Sequence, residues 1–191
     1  MPFSELKDEE IAKNIKQLMK KGGFLDVIQQ YYRELYTRYY SQCYNISRYF
    51  GLNRQDAEDA VQEAFIRLYK NIRSFDDKRA FKPWLFKIVI NCVKDRYRDL
   101  TKHSYTDIEK AENYPNPAQE KFFEELHIKD TFRGIIIRLP EKLKSAVILR
   151  NYTDMDMKSI ASILGLGVRQ LHNRLARAYN YIKEGLENEK Y

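Results

Sequence analysis

The stretch "WLFKIVINCVKDRYR", residues 84–98, begins as a core helix and ends as a polar surface. Its apolar residues recur at intervals of three and four, a spacing that puts them on one helical face: Leu85, Ile88, Val89, Cys92 and Val93. Its second half carries amide, cationic and aromatic side chains: Asn91, Lys94, Arg96, Tyr97 and Arg98. The pattern predicts an amphipathic helix whose far end contacts a partner that the stretch alone does not identify.

The composition of the whole chain favours a nucleic acid as that partner. The chain has 191 residues and is 43% hydrophobic, so it can bury a core in one large domain or two small ones. A net charge of +7 and an isoelectric point near 9.2 favour a polyanion, either nucleic acid or an anionic membrane. No segment approaches the roughly 18 to 20 apolar residues of a membrane span, and residues 1–21 are charged throughout, unlike a secretory signal. We expect a cytoplasmic protein without membrane insertion.

The sequence offers no motif for metal binding or catalysis. The two cysteines, Cys43 and Cys92, lie on apolar helical stripes and are expected to be buried thiols. The three histidines, His103, His127 and His172, are scattered along the chain. We therefore expect no metal site and no cofactor. The glycines form no phosphate-binding loop, and no nucleophile motif is present. The chain is therefore not expected to be an enzyme.

Charge and helix-breaking residues divide the chain into parts. Up to residue 98 it reads as helices with short breaks at 22–23, 51–53 and 73–79. From Asp99 to Asp130, eight acidic residues face four lysines, and two prolines interrupt the segment, which is the composition of a linker. After this segment eleven Lys and Arg face six acids, and helical periodicity returns. We expect an all-α fold with two small helical domains joined by a flexible acidic linker: 1–23 as an extension or short helix, domains at 24–99 and 131–191, and the linker at 100–130.

The second domain has the pattern of a helix-turn-helix. Pro140 is expected just inside one helix, Asp156 can cap the next, and Gly165 suits the left-handed turn that ends it. A third helix is expected from Val168 through Tyr179. An ordinary helical hairpin is the plainer interpretation of this spacing.

The exposed face of that third helix favours DNA binding over a plain hairpin. If Leu171, Leu175 and Ala178 point inward, the remaining residues are left to face outward or sideways: Arg169, Gln170, His172, Asn173, Arg174, Ala176 and Arg177. Arg, Gln and Asn side chains read base edges in a major groove, and Arg also binds phosphates. No acidic residue occurs from Met157 to Ile182, whereas a merely solvated helix would usually include some.

The first domain carries an acidic patch. Asn53 can cap a helix whose opening turns contain several acids, which the helix dipole alone would favour by roughly 0.3 to 1 kcal/mol each. We expect four of the polar residues to share an outer face: Asp56, Asp59, Gln62 and Glu63. An acidic patch on a basic DNA-binding protein suggests a basic protein partner as well as DNA.

These segments together resemble a known family. They are "DAEDAVQEAFIRLYKNIRSFD" (56–76), "FKPWLFKIVINCVKDRYR" (81–98), "LPEKLKSAVILR" (139–150) and a terminal "NRLARAYNYIK" (173–183). Their order is similar to that of bacterial RNA polymerase sigma factors of the sigma-70 superfamily, extracytoplasmic-function (ECF) group. The resemblance covers residues 24–186 and implies a factor that directs promoter recognition and transcription initiation at a restricted set of genes, while catalysis belongs to the polymerase.

The resemblance also implies roles for matching residues. Asp56, Asp59, Gln62 and Glu63 would bind the clamp of core RNA polymerase. Asn91, Lys94, Arg96 and Arg98 would contact the melted non-template strand of the minus-ten element, with Asn91 at the family's pocket for a flipped-out base. Arg169, Gln170, His172, Asn173, Arg174 and Arg177 would contact the duplex minus-thirty-five element. Trp84 is expected to pack in the core rather than to stack on bases, and an anti-sigma factor is the expected regulatory partner.

Departures and alternatives bear on these roles. Arg169 and Gln170 replace a usual Gly-Thr pair, His172 stands for a common Lys or Arg, and Ser159 replaces a frequent Glu, which affects the expected promoter preference. An autonomous helix-turn-helix regulator would bind duplex DNA without polymerase and would not need the acidic patch. A sigma-like module that sequesters an anti-sigma factor would have lost its base-reading residues, whereas Asn91 and Arg177 are present.

Overall fold

The computed structural model describes residues 5–22, 24–103 and 131–188, and within these ranges the chain is helical without strands. The first module, before the linker, comprises α1 (Asp8–Lys21), α2 (Leu25–Phe50), α3 (Arg54–Asn71), a 3₁₀ turn (Ile72–Ser74) and α4 (Phe81–His103). The second module comprises α5 (Thr131–Arg138), α6 (Glu141–Tyr152), α7 (Met157–Leu164) and α8 (Val168–Asn188). The all-α prediction is confirmed. Residues 104–130, most of the predicted linker, lie outside the described residues, and α4 continues to His103, beyond the predicted domain boundary.

Local signals in the sequence set the helix ends. The Asn53 side chain accepts a hydrogen bond from the backbone amide three residues later at 2.8 Å and so caps α3. Asp156 caps α7 in the same way, also at 2.8 Å. Gly165 ends α7 with φ +66°, a left-handed conformation that glycine adopts without strain. Pro140 differs slightly from its prediction, because it is the cap residue and α6 begins at Glu141.

The first module is built around α4, which is buried on a broad face. The buried residues of α4 include the predicted Leu85, Val89, Cys92 and Val93, and also Phe86 and Ile90, because α1, α2, α3 and α7 all pack against this helix. The N-terminal segment forms the short helix α1, which is held by its buried Ile11 and Ile15. Asp8 accepts hydrogen bonds from Arg38 of α2 at 2.7 Å and from the Tyr39 hydroxyl.

The two modules pack directly on each other. Helices α5 and α6 lie against α2, and α7 lies against α4. Gly51, at the end of α2, has φ +109°, and a Cβ there would approach Ile137 of α5 to 3.1 Å. The rings of Tyr49 and Tyr152 stack at 3.9 Å between the modules. A single buried core therefore runs through both modules.

Helix α8 is longer than its sequence pattern predicted. It continues past Tyr179 to Asn188 because Ile182 extends the buried stripe of Leu171, Leu175 and Ala178. Among the described helices, none is both long enough and apolar enough to cross a membrane.

Candidate nucleic-acid interface

Helix α8, the last helix of the predicted helix-turn-helix, presents its polar face to solvent. Residues 169, 170, 172, 173, 176 and 177 of α8 are exposed and Arg174 is half-buried, while Leu171 and Leu175 are buried beneath them. The predicted inward and outward positions are thus confirmed. A hydrogen bond from the Leu166 amide to the Ala161 carbonyl at 2.9 Å closes the turn at the end of α7, and α7 and α8 pack against each other.

One residue of the predicted minus-thirty-five set, Gln170, has a hydrogen-bond partner just before the start of its helix. The amide oxygen of Gln170 accepts a hydrogen bond from the backbone N–H of Gly167 at 2.9 Å. This contact satisfies an amide at the start of α8, as a capping side chain does. Gln170 therefore contributes to the helix start, and its amide nitrogen remains the group that can donate to a base.

The acidic patch on α3 is exposed at three of its four predicted positions. Asp59, Gln62 and Glu63 lie on the outer face of the helix. Glu63 accepts a hydrogen bond from Arg67 at 2.7 Å. The sequence interpretation missed Ile66, which is 46% exposed on the same face, and its position outside the apolar stripe of α3 is the signal that could have identified it. An apolar side chain among acids is typical of a protein-binding surface.

The prediction that Asp56 shares this outer face is wrong. Asp56 is only 5% exposed. It lies one helical turn before the buried Ala60, so its side chain faces α4 and not solvent. The Arg96 guanidinium compensates the buried carboxylate, with Nη2 2.7 Å from Asp56 Oδ1 and 3.2 Å from Asp59 Oδ2.

The predicted minus-ten residues on α4 are placed in different environments. Asn91 is exposed, whereas Arg96 is held by the two aspartates of α3. Lys94 and Arg98 both face the second module, where they meet the carboxylate of Glu141 in the first turn of α6. The structure therefore divides the four residues among solvent, α3 and α6.

Glu141 binds Arg98 through both of its carboxylate oxygens. Arg98 Nε is 3.0 Å from Oε2 and Arg98 Nη2 is 2.8 Å from Oε1, while Lys94 Nζ is 3.6 Å from Oε1. The hydrogen bond to Glu141 raises the pKa of Arg98. Burial lowers the pKa of Lys94, the carboxylate of Glu141 opposes this shift, and the positive charge of Arg174 on α8 adds to it. Glu141 thus links Lys94 and Arg98 of the first module to the second module.

A buried lysine of α6 lies next to this cluster. Lys144 is 1% exposed and donates a hydrogen bond to the Phe50 carbonyl at 3.2 Å. Its ammonium also lies 4.4 Å from the centre of the Tyr97 ring, a cation–π contact. Burial lowers the pKa of Lys144 to about 7, and the nearby Glu141 opposes that shift. This burial could not be predicted from the sequence, since lysine is among the residues that are almost never fully buried.

Trp84 packs as expected on one side and lines a cleft on the other. Its ring is half-buried and lies 5.1 Å from the ring of Phe75. The cleft, of about 470 Å³, lies between the start of α4 and α7 and is lined also by Lys87 and Lys158. Core packing of Trp84 is thus observed together with partial access to the cleft.

The two cysteines form no disulfide bond and lie in the core. Cys43 and Cys92 are free and buried, as predicted, and burial raises the pKa of Cys92 to about 11. Within residues 5–22, 24–103 and 131–188, no group of three or more His, Cys, Asp or Glu is arranged to hold a metal ion.

Family comparison assigns both modules. Residues 35–103 match Sigma-70 region 2, and residues 129–181 match Sigma-70, region 4. The ECF RNA polymerase sigma factor SigW of Bacillus subtilis is 30% identical over 190 residues, which covers 93% of this chain and 97% of SigW. The match thus extends over nearly the full length of both chains.

Solved structures show the same fold. One is CnrH in complex with the cytosolic domain of CnrY, with a TM-score of 0.69, 21% identity, and coverage of 95% of this chain and 97% of that chain. Another is the sigma factor RpoE in complex with the anti-sigma factor NepR from Bartonella quintana, with a TM-score of 0.59, 21% identity, and coverage of 81% and 98%. From both family regions, in order, and the near full-length match to a relative, we conclude that this chain belongs to the ECF group of sigma-70 RNA polymerase sigma factors.

Proposed function

We propose that this chain binds core RNA polymerase and directs it to a restricted set of promoters, while the polymerase performs the catalysis. The observation that carries this proposal is the pair of exposed polar faces, one on α3 and one on α8, on the two modules that match sigma-70 regions. A transcription factor of this kind acts where the polymerase works, in the cytoplasm.

The polymerase contact is the outer face of α3. Asp59, Gln62 and Glu63 supply negative charge and a hydrogen-bonding amide, and Ile66 supplies an apolar centre. Asp56 supports this face indirectly, because it holds Arg96 beside Asp59.

The promoter contacts are the polar end of α4 and the outer face of α8. Asn91 can donate to and accept from an unpaired base, while Lys94, Arg96 and Arg98 provide positive charge for the strand backbone. On α8, the residues for duplex minus-thirty-five DNA are Arg169, Gln170, His172, Asn173, Arg174 and Arg177. Capture of unpaired bases offsets the cost of opening the duplex without ATP hydrolysis.

An anti-sigma factor is the proposed regulatory partner. RpoE has been solved with the anti-sigma factor NepR, and CnrH with the cytosolic domain of CnrY. The close packing of the two modules in this chain supplies a surface to which residues of both contribute, such as the cleft between α4 and α7.

Transcription from a promoter library with purified core polymerase tests the proposal. We expect initiation at a defined subset of promoters only when the chain is added. Binding of the chain to duplex promoters without any effect on polymerase would instead support an autonomous regulator. If the chain binds neither polymerase nor DNA, the result would support a module that sequesters an anti-sigma factor.

A further inference from the structure

The cationic end of α4 is occupied by an acid from the second module. Glu141 accepts two hydrogen bonds from Arg98, at 3.0 and 2.8 Å, and its Oε1 lies 3.6 Å from Lys94 Nζ. Lys94 and Arg98 are two of the four residues proposed above to contact the minus-ten strand.

A carboxylate and a phosphate present similar groups to an arginine. The guanidinium offers parallel N–H donors that fit either anion in a two-pronged arrangement, and a lysine adds a point charge to both. A phosphate of DNA that used the same donors would meet the negative charge of Glu141, so the two anions compete for one site.

The contact is part of a larger interface and not an isolated surface ion pair. In the same turn of α6, Lys144 is buried against Tyr97 and the Phe50 carbonyl. An exposed ion pair by itself would contribute little. The Arg98 side chain is 53% exposed, but that of Glu141 is 25% exposed and lies on a helix with buried neighbours, so the packing of the modules holds Glu141 in place.

We propose that Glu141 is an intramolecular phosphate mimic that blocks the minus-ten surface while the two modules are packed together. The inference rests on the proposed function of Lys94 and Arg98. The packed arrangement is then a closed state, and displacement of α6 from α4 frees both cations for DNA.

The test uses the free full-length chain and a fluorescent 20-nucleotide single strand of mixed sequence, because phosphate contacts do not depend on sequence. Glu141→Gln should tighten binding by about tenfold, since it removes the competing charge and raises the fraction of binding-competent chains. Glu184→Gln is the matched control, because Glu184 is exposed on the same module and the substitution makes the same change in net charge. The control should tighten binding by less than about twofold.

Arg98→Ala separates failure of the mimic from failure of the DNA contact. The gain from Glu141→Gln should disappear in the Arg98→Ala background, as coupled residues require. If Arg98→Ala alone weakens binding but Glu141→Gln gains no more than the control, the mimic is overturned and the DNA contact stands. If Arg98→Ala leaves binding unchanged in every background, the proposed function of Arg98 fails, and the mimic fails with it.

A second measurement leaves Glu141, Arg98 and Lys94 unchanged, so it remains valid if a substitution at these positions disturbs folding. Spin labels at the exposed positions Lys70→Cys on α3 and Lys183→Cys on α8 report the separation of the modules. Addition of the single strand should lengthen the label distance, because a phosphate that displaces Glu141 moves α6 from α4. A distance distribution that does not change when the strand is bound would overturn the proposal.

Discussion

Arg96 and Asp56 form an ion pair, with Nη2 2.7 Å from Oδ1, that joins α4 to α3 and therefore joins the proposed promoter surface to the proposed polymerase surface. The side chains differ in exposure, since Asp56 is 7% exposed and Arg96 is 41% exposed. Removal of Arg96 would therefore leave a buried charge, the Asp56 carboxylate, whereas removal of Asp56 would leave a guanidinium that solvent can reach.

Arg96→Ala should destabilise the chain more than Asp59→Ala does. Removal of Arg96 leaves the buried Asp56 carboxylate without this partner, which should cost about 2 kcal/mol. Asp59 is 48% exposed, so loss of its contact should cost less than about 1 kcal/mol. Urea unfolding followed by circular dichroism measures both. Equal costs would show that the Asp56 contact is no stronger than a surface pair.

Charge reversal on the outer face of α3 should abolish polymerase binding. The double variant Asp59→Lys and Glu63→Lys should not co-purify with core polymerase, because it reverses the sign of the proposed contact. Its helicity and melting temperature should stay close to native, since both residues are exposed. Glu184→Lys is the control for added positive charge and should co-purify normally. Retained binding by the double variant would place the polymerase contact elsewhere.

Asn91→Ala should act at one base of the minus-ten element. Loss of one amide contact to an unpaired base should cost about 1 to 3 kcal/mol on the preferred sequence and much less on a promoter already altered at that base. Initiation assays on both promoters, and on a pre-melted bubble, measure the effect. The loss should persist on the bubble, because the contact is to the base and not to the melting step. An equal loss on all promoters would assign Asn91 a structural role.

Arg98→Ala should instead weaken binding to all sequences. The reason is that a phosphate contact carries no sequence information. Its loss should also lower the slope of log affinity against log salt concentration by roughly one counterion. Titrations at several salt concentrations, on preferred and altered promoters, check this result. A loss confined to one sequence would contradict the backbone role.

Lys144 should make stability depend on pH. Its pKa in the folded chain is lowered to about 7, below its ordinary value of about 10.5, so between these values the unfolded chain binds more protons than the folded one. The contribution of Lys144 to stability therefore rises from pH 7 towards pH 10.5 and is constant below pH 7. The free energy of unfolding of Lys144→Met, relative to that of the native chain, should therefore be highest at pH 6.5 and lowest at pH 9. The groups that face Lys144 include Glu141 on its own helix, Tyr97 on α4 and the Phe50 carbonyl. If the difference in unfolding free energy between the two proteins does not change with pH, these contacts keep the ammonium charged and the prediction is wrong.

The local structure of this chain could be predicted from its sequence because its causes lie within a few residues. The Asn53 and Asp156 caps act on amides three residues away, and Gly165 ends α7 through its own backbone conformation. The spacing of apolar residues placed Leu85, Val89 and Leu171 on buried faces. The family motifs are equally local, so they identified the two modules in their order.

The partners of the charged side chains were decided by tertiary structure. Arg96 meets Asp56 across 40 residues of sequence, Arg98 meets Glu141 across 43, and Lys144 meets the Phe50 carbonyl across 94. Helical periodicity says only which side of its own helix a residue occupies, so it could not show that Asp56 faces another helix and not solvent. The sequence by itself determined the helices, their ends and the family. Only the packing of α3 against α4, and of the second module against the first, decided which cations are exposed and which are held by acids, because such contacts depend on distances between helices far apart in the chain.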